Sequence, residues 1–325
     1  MHTPSFLPKP GFMPHALHGS ERIWLETNCY TDLWIEVVHA MDAQPVAMLP
    51  FAIDQEFEGD QFTFFKPPLE DLRTLFGVKV QELAIFDDIV GHVIEQVERD
   101  RLVIVELDAF YLPDTQGASY HQEHVKTTVG IAEIDPGERR LGYFHNAGYF
   151  HLEGEDFTRI FRLAPDQRDQ PELLFPYVEM VKREVHPLRG AALRVASLSL
   201  LRRYLHNRSR ANPFVAFRER FLANEPELLE RPMPRFHAYA FNNLRQAGAN
   251  AELLGSYLEW LAGQGESRLE QPRADALRIA EIMKVMQFQL ARAVHRRRPM
   301  DARPLLAELE TTHDRLIGGL MDCYG

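Results

Sequence analysis

Cys29 directly follows Thr27 and Asn28, two good helix-capping residues, and precedes a stretch in which Leu33, Trp34, Val37, Val38 and Met41 recur at helical spacing. A helix over Asn28–Met41 is therefore expected, with Cys29 in its first turn. Unpaired backbone N–H groups and the helix dipole stabilise a thiolate there, and the thiolate is the nucleophilic form of cysteine. Free cysteine is also among the most buried residue types, so position alone leaves a structural role open. A nearby base would decide for chemistry.

His124 is the candidate base. It opens the stretch His124–Ile134, which reads as a strand, followed by a turn at Asp135-Pro136-Gly137-Glu138 and a returning strand over Arg140–Asn146. A turn centred near Pro136-Gly137 places residue 124 opposite roughly residues 146–149, so Asn146 is the expected orienting partner of His124. His145 points to the opposite face from Asn146, and at most one of the two faces His124. Asp135 is tempting as a carboxylate but lies at the far end of the hairpin, roughly 36 Å away at about 3.3 Å per residue. His121-Gln122-Glu123-His124 looks like half a metal site, yet residues three apart on a strand face opposite sides, and the spacing is not that of His-Glu-x-x-His zinc proteases. No metal site is expected, and Cys323 has no expected role.

The elements that must position these residues divide the chain. The first half alternates helix and strand, with Arg101–Asp108 a β-branched run typical of a buried strand, a loop over Phe110–Ser119, and one short helix over Leu69–Phe76 in an otherwise ambiguous stretch. The second half reads as helical over Pro171–Val185, Leu188–Leu205, Pro213–Ala223, Arg235–Ala247, Ala251–Ala262, Arg273–His295 and Leu305–Leu320. The boundary is expected near residue 160, giving domains over 1–160 and 161–325.

Charge follows the same division. Residues 1–160 carry 11 basic and 27 acidic side chains, and the remainder 25 basic and 20 acidic, within a net charge of −11. So acidic a first half argues against nucleic-acid binding there. The basic clusters of the second half, Arg202, Arg203, Arg208 and Arg210, and Arg296–Arg298, suit either helix C-termini or an anionic partner. The 21 Phe residues provide enough apolar surface for a core, which excludes disorder. No run of 18 apolar residues is present, so no membrane span is expected, and the first residues do not read as a secretory signal. Two cysteines exclude a disulfide framework and a cysteine-cluster zinc site, and a cytoplasmic setting is expected.

Cys at a helix start, His opening a strand and Asn at the end of the next strand resembles the papain-like cysteine fold. The segment Val105-Glu106-Leu107-Asp108-Ala109-Phe110-Tyr111-Leu112-Pro113, then His124 with Gly130, resembles the family of the butirosin biosynthesis protein H N-terminal domain over about residues 15–155. The whole chain also looks like a bacterial family of unknown function. The resemblance implies an α+β fold, a papain-like domain followed by an all-α domain. It implies acyl or aminoacyl transfer from a carrier-protein thioester to an amine, with Cys29 as nucleophile, His124 as base and Asn146 as orienting residue. Asn28, Asp108 and Tyr111 are then the expected oxyanion or substrate-binding residues. Ile23 stands where papain-type enzymes carry a Gln, which leaves Asn28 and the backbone N–H of Cys29 for the oxyanion hole. No resident cofactor is expected; a phosphopantetheine-linked donor would come on an acidic acyl-carrier-type protein docking at Arg202, Arg203, Arg296 and Arg297. A cysteine hydrolase on the same triad and a non-catalytic binding protein on the same scaffold are the alternatives.

Overall fold

The computed structural model describes residues 5–25, 27–168 and 176–325. Helix α1 (Cys29–Ala40) starts where its cap requires: Asn28 is extended and its Oδ1 accepts the Thr31 N–H at 2.9 Å. Asn28 and Met41 are the caps of this helix and not its first and last turns. Leu33, Trp34, Ile35, Val37 and Val38 are fully buried, so α1 is enclosed rather than one-sided.

After α1 come α2 (Leu69–Phe76), β1 (Val78–Glu82), α3 (Ile89–Glu98), β2 (Leu102–Asp108), β3 (Lys126–Asp135), β4 (Arg140–His145), β5 (Gly148–Glu153), α4 (Glu155–Ile160), α5 (Pro165–Arg168) and β6 (Val178–Arg183). The strands form one six-stranded sheet in the order β1-β6-β2-β3-β4-β5, every neighbouring pair antiparallel. The expected hairpin is present, with Asp135 paired to Arg140, and β5 extends it through a two-residue turn at Asn146-Ala147.

One segment departs from its expected structure. Of the stretch Pro171–Val185, expected to be helical, residues 171–175 lie outside the described residues and Val178–Arg183 is a strand. Val178, Glu179, Met180 and Val181 are all buried, because β6 lies between β1 and β2 inside the sheet. A strand covered on both faces shows no alternation, and a short apolar run reads equally well as a helix turn.

Side-chain parity assigns the two faces of the sheet. Val103, Val105, Val129, Ile131, Leu141 and Tyr143 join Val90 and Val93 of α3 and Phe157 of α4 in one apolar cluster. On the other face, Gly130 leaves room for α1: a Cβ there would stand 3.3 Å from Leu33 Cδ1 and 3.4 Å from Leu102 Cδ2. So α1 covers the face to which Leu102 and Gly130 belong, and α3 and α4 cover the face of Val103 and Val129.

The C-terminal part is helical, with α6 (Gly190–Asn207), α7 (Pro213–Glu230), α8 (Met233–Tyr239), a π-helical turn (Ala240–Arg245), α9 (Gln246–Gly263), α10 (Glu270–Arg296) and α11 (Arg303–Tyr324). The chain forms two compact units, one of Met1–His18, Asn28–Pro45 and Leu69–Leu188, the other of Gly19–Thr27, Val46–Pro68 and Arg189–Gly325. This division differs from the expected 1–160 and 161–325, because β6 belongs to the sheet and two N-terminal segments fold with the helices. Trp24 shows how one of them is held: its indole Nε1 donates to the Ala280 carbonyl at 3.2 Å.

Candidate functional site

The loop after β2 and the start of β3 bring together Asp108, Phe110, Tyr111 and His124. Antiparallel pairing sets Asp108 opposite Lys126, so the strand end of β2 lies beside the residues that lead into β3. Asp108 Oδ2 lies 2.6 Å from His124 Nδ1, while its Oδ1 accepts the Phe110 N–H at 3.0 Å. The imidazole stacks on Phe110 with ring centroids 4.3 Å apart and planes at 13°, and the Tyr111 ring is 6.3 Å away. Burial, and then the charge of Asp108, raises the pKa of the Tyr111 hydroxyl. His124 Nε2 has no hydrogen-bond partner among the described residues, and the side chain is 66% exposed. A carboxylate on Nδ1 fixes the tautomer in which Nε2 is free to accept a proton.

Cys29 is half-buried at the N-terminus of α1, and its Sγ has no hydrogen-bond partner among the described residues. Asn28 spends its side-chain oxygen on the cap to Thr31, so it serves the helix start. The neighbouring Tyr30 hydroxyl donates to Glu179 Oε2 at 2.8 Å, and Glu179 pairs with Ile104 across β6 and β2. This ties the first turn of α1 to β6, next to β2 in the sheet. Asp108 has the same parity as Leu102 and Ile104, so in a regular strand it faces the side that α1 covers. The start of α1 and the Asp108–His124 pair thus share one face of the sheet.

Asn146 is not placed to orient His124. It is a half-buried turn residue with φ of 44°, and no hydrogen bond of its side chain occurs among the described residues. The ladder pairs Gly130 with Phe144 and stops short of His124, which lies beyond the strand. Asp108, expected as a substrate-binding residue, takes the position expected of Asn146. The antiparallel pairing of β2 with β3 brings it there, a contact with a strand upstream of His124 that the β3–β4 turn does not involve.

His145 belongs to a separate buried chain on the opposite face. Its Nδ1 lies 2.6 Å from Asp114 Oδ2 and its Nε2 lies 2.8 Å from Thr127 Oγ1. Tyr143 donates to Asp114 Oδ1 at 2.5 Å, and burial together with that carboxylate pushes its hydroxyl pKa well up. His145 and Asp114 are almost fully buried, at 1% and 3% side-chain exposure, which makes this chain a tie between a loop and the sheet. Asp114, in the Leu112-Pro113-Asp114 loop, carries no sequence pattern that marks it.

Two further histidines near this hairpin have carboxylate partners: His121 Nε2 lies 2.9 Å from Asp156 Oδ1, and His151 Nε2 lies 3.8 Å from Glu133 Oε2. Among the described residues, no group of three or more His, Cys, Asp or Glu side chains could hold a metal ion. No helix among them is long and apolar enough to cross a membrane. The four arginines expected to dock a partner are exposed on the helical unit. Arg202 lies 6.0 Å from the Tyr324 ring centroid and Arg203 Nη2 donates to the Tyr204 hydroxyl at 3.2 Å. Arg296 and Arg297 end α10, with Arg297 in the left-handed conformation, and neither forms an ion pair among the described residues.

The N-terminal domain of the DUF1839 family matches residues 13–183, and its C-terminal domain matches residues 190–322. The chain belongs to the DUF1839 family. DUF1839 is a two-domain family of unknown function, and among curated proteins none matches the chain. The interval between the DUF1839 domains contains Leu188, where the chain passes into the helical unit, and β6 falls inside the N-terminal domain. Cys29, Asp108 and His124 all lie in the DUF1839 N-terminal domain, and the four arginines in the C-terminal one.

Proposed function

We propose that this DUF1839 protein is a cysteine-dependent acyl or aminoacyl transferase with a papain-like N-terminal unit. Cys29 is its nucleophile, His124 its base and Asp108 its orienting residue. The observation that carries this reading is the 2.6 Å contact of Asp108 Oδ2 with His124 Nδ1, on the sheet face that receives the first turn of α1. His124 Nε2 takes the Cys29 thiol proton, and Sγ adds to the carbonyl carbon of a thioester. The tetrahedral adduct collapses, the C–S bond to the donor breaks, and the donor thiolate takes the proton back from His124. An amine then attacks the acyl-enzyme, passes a proton to His124, and releases Cys29 as thiolate, which recovers that proton. The backbone N–H of Cys29 is the oxyanion donor in this scheme. An acyl-carrier-type protein with a phosphopantetheine arm fits as donor, and Arg296 and Arg297, which lack carboxylate partners among the described residues, fit its acidic surface.

Hydrolysis on the same three residues is the second reading, favoured by the 66% exposure of His124, which lets water reach the base. Intact-mass analysis after incubation with acyl and aminoacyl pantetheine thioesters tests both. Transfer predicts an acyl adduct on the wild type, absent in Cys29→Ala and discharged faster by amines than by buffer. Discharge at the same rate with and without amine selects the hydrolase. Absence of any adduct across the panel overturns both.

A further inference from the structure

The helical unit holds a cavity of about 100 Å3 between the Ile53–Phe57 segment, the loop from Arg208 to Pro213 and His313 of α11. Several polar side chains of its wall are already engaged. Asn212 Oδ1 accepts the Phe214 N–H, and its Nδ2 donates to the Glu310 carbonyl and to Asp314 Oδ1, each at 2.9 Å. Ser209 Oγ accepts the Ala211 N–H at 3.2 Å, and Gln55 Nε2 donates to the Thr63 carbonyl at 3.0 Å.

Four groups are left over. Arg208 Nη1 donates to the Ser209 carbonyl at 2.7 Å, but Nε is buried with no partner, and the guanidinium forms no ion pair among the described residues. His313 Nδ1 is likewise buried and unpartnered. The carboxylates of Asp54 and Glu56 have no hydrogen-bond partner among the described residues. Asp54 and Asp314 act on Arg208 through their charge without an ion-pair contact, and the buried Arg208 Nε and His313 Nδ1 keep hydrogen-bonding capacity that nothing among the described residues uses, an unfavourable state that a ligand would relieve. Burial holds the Arg208 pKa below its usual value against the charges of Asp314 and Asp54, and burial followed by Glu56 raises that of Asp54 against the charge of Arg208. Burial, with Arg208 adding to it and Asp314 opposing it, lowers His313 to about 4, so this ring supplies a hydrogen bond and no charge at neutral pH.

A small cavity lined by a guanidinium and an imidazole that each keep a buried nitrogen without a hydrogen-bond partner, beside the carboxylates of Asp54 and Glu56, is complementary to a molecule carrying both charges. We propose that it binds a small zwitterion, a free α-amino acid, with the carboxylate on Arg208 and the ammonium toward Asp54 and Glu56. This site uses neither Cys29 nor His124 and stands apart from the transfer reading.

Calorimetric titration of the full chain with L-alanine, glycine, acetate and methylamine tests it. Alanine or glycine should bind with one site, at least tenfold more tightly than acetate or methylamine. Arg208→Gln should weaken alanine at least tenfold. Asp54→Asn, at an exposed position, should weaken alanine severalfold and strengthen acetate. That opposite pair of effects is not expected of a merely misfolded variant, and wild-type thermal midpoints check both proteins. Acetate binding as tightly as alanine, no binding of either amino acid, or alanine affinity unchanged in Arg208→Gln would each overturn the proposal.

Discussion

Asp108 grips His124 from the neighbouring strand end: Oδ2 meets Nδ1 at 2.6 Å while Oδ1 fastens the loop through the Phe110 N–H. One carboxylate thus sets the tautomer of the imidazole and the loop on which the imidazole stacks.

Replacing that carboxylate separates Asp108 from Asn146. Asp108→Asn should lower kcat/KM for thioester turnover by at least tenfold, equivalent to about 1.4 kcal/mol of transition-state stabilisation. Asn146→Ala should change it by less than about threefold. Steady-state kinetics on the two variants decides, and the reverse order would return Asn146 to the site.

His18 should make stability depend on alkaline pH. It is buried with Nδ1 2.5 Å from Glu36 Oε1 and Nε2 3.2 Å from Asp32 Oδ1. Burial disfavours its charge, but hydrogen bonds and charges from Asp32 and Glu36 overcome this and raise its pKa to about 9. A raised pKa stabilises the fold fully below the unfolded value near 6.5, and that stabilisation disappears as pH climbs through about 9. The total is on the order of 3 kcal/mol. Urea midpoints measured from pH 6 to pH 9.5 should fall across this window in the wild type, and His18→Gln should flatten the slope. An equal slope in both proteins counts against His18 as the cause.

Asp114→Ala leaves His145 Nδ1 and the Tyr143 hydroxyl without their partner in a buried place. A loss of about 3–5 kcal/mol of unfolding free energy is expected, as for breaking a buried pair. Denaturant unfolding measures it. A cost below 1 kcal/mol would mean that water reaches the chain and replaces the carboxylate.

Gly248→Ala tests the seating of Trp24. A Cβ at this position would fall 2.5 Å from the indole ring atoms Cε2 and Cζ2. Overpacking of this kind costs about 1–3 kcal/mol. The expected readouts are a lower thermal midpoint and a shifted tryptophan emission; an unchanged midpoint shows that the indole gives way freely.

Some of this was legible in the sequence because it is local. The cap of α1 is a contact over three residues, Asn28 to Thr31, and the hairpin of β3 and β4 turns on four consecutive residues, so residue type and order carry both. The helices of the C-terminal part were legible from apolar spacing, which repeats along one chain. β6 was not, because its burial on both faces comes from insertion between β1 and β2, strands almost 100 and about 70 residues away.

By itself the sequence determined a helical C-terminal part, a cysteine at a helix start and a histidine leading into a strand. Only the tertiary structure chose the partner of that histidine. Asn146 and Asp108 were both near in the chain, but the register of β2 on β3 brings Asp108 alongside, while the turn carries Asn146 away. The structure also set His145 on the far face, since one residue of parity decides which side of a sheet a side chain meets. Such choices depend on which strands pair and in which register, a property of contacts made across the chain that no local spacing contains.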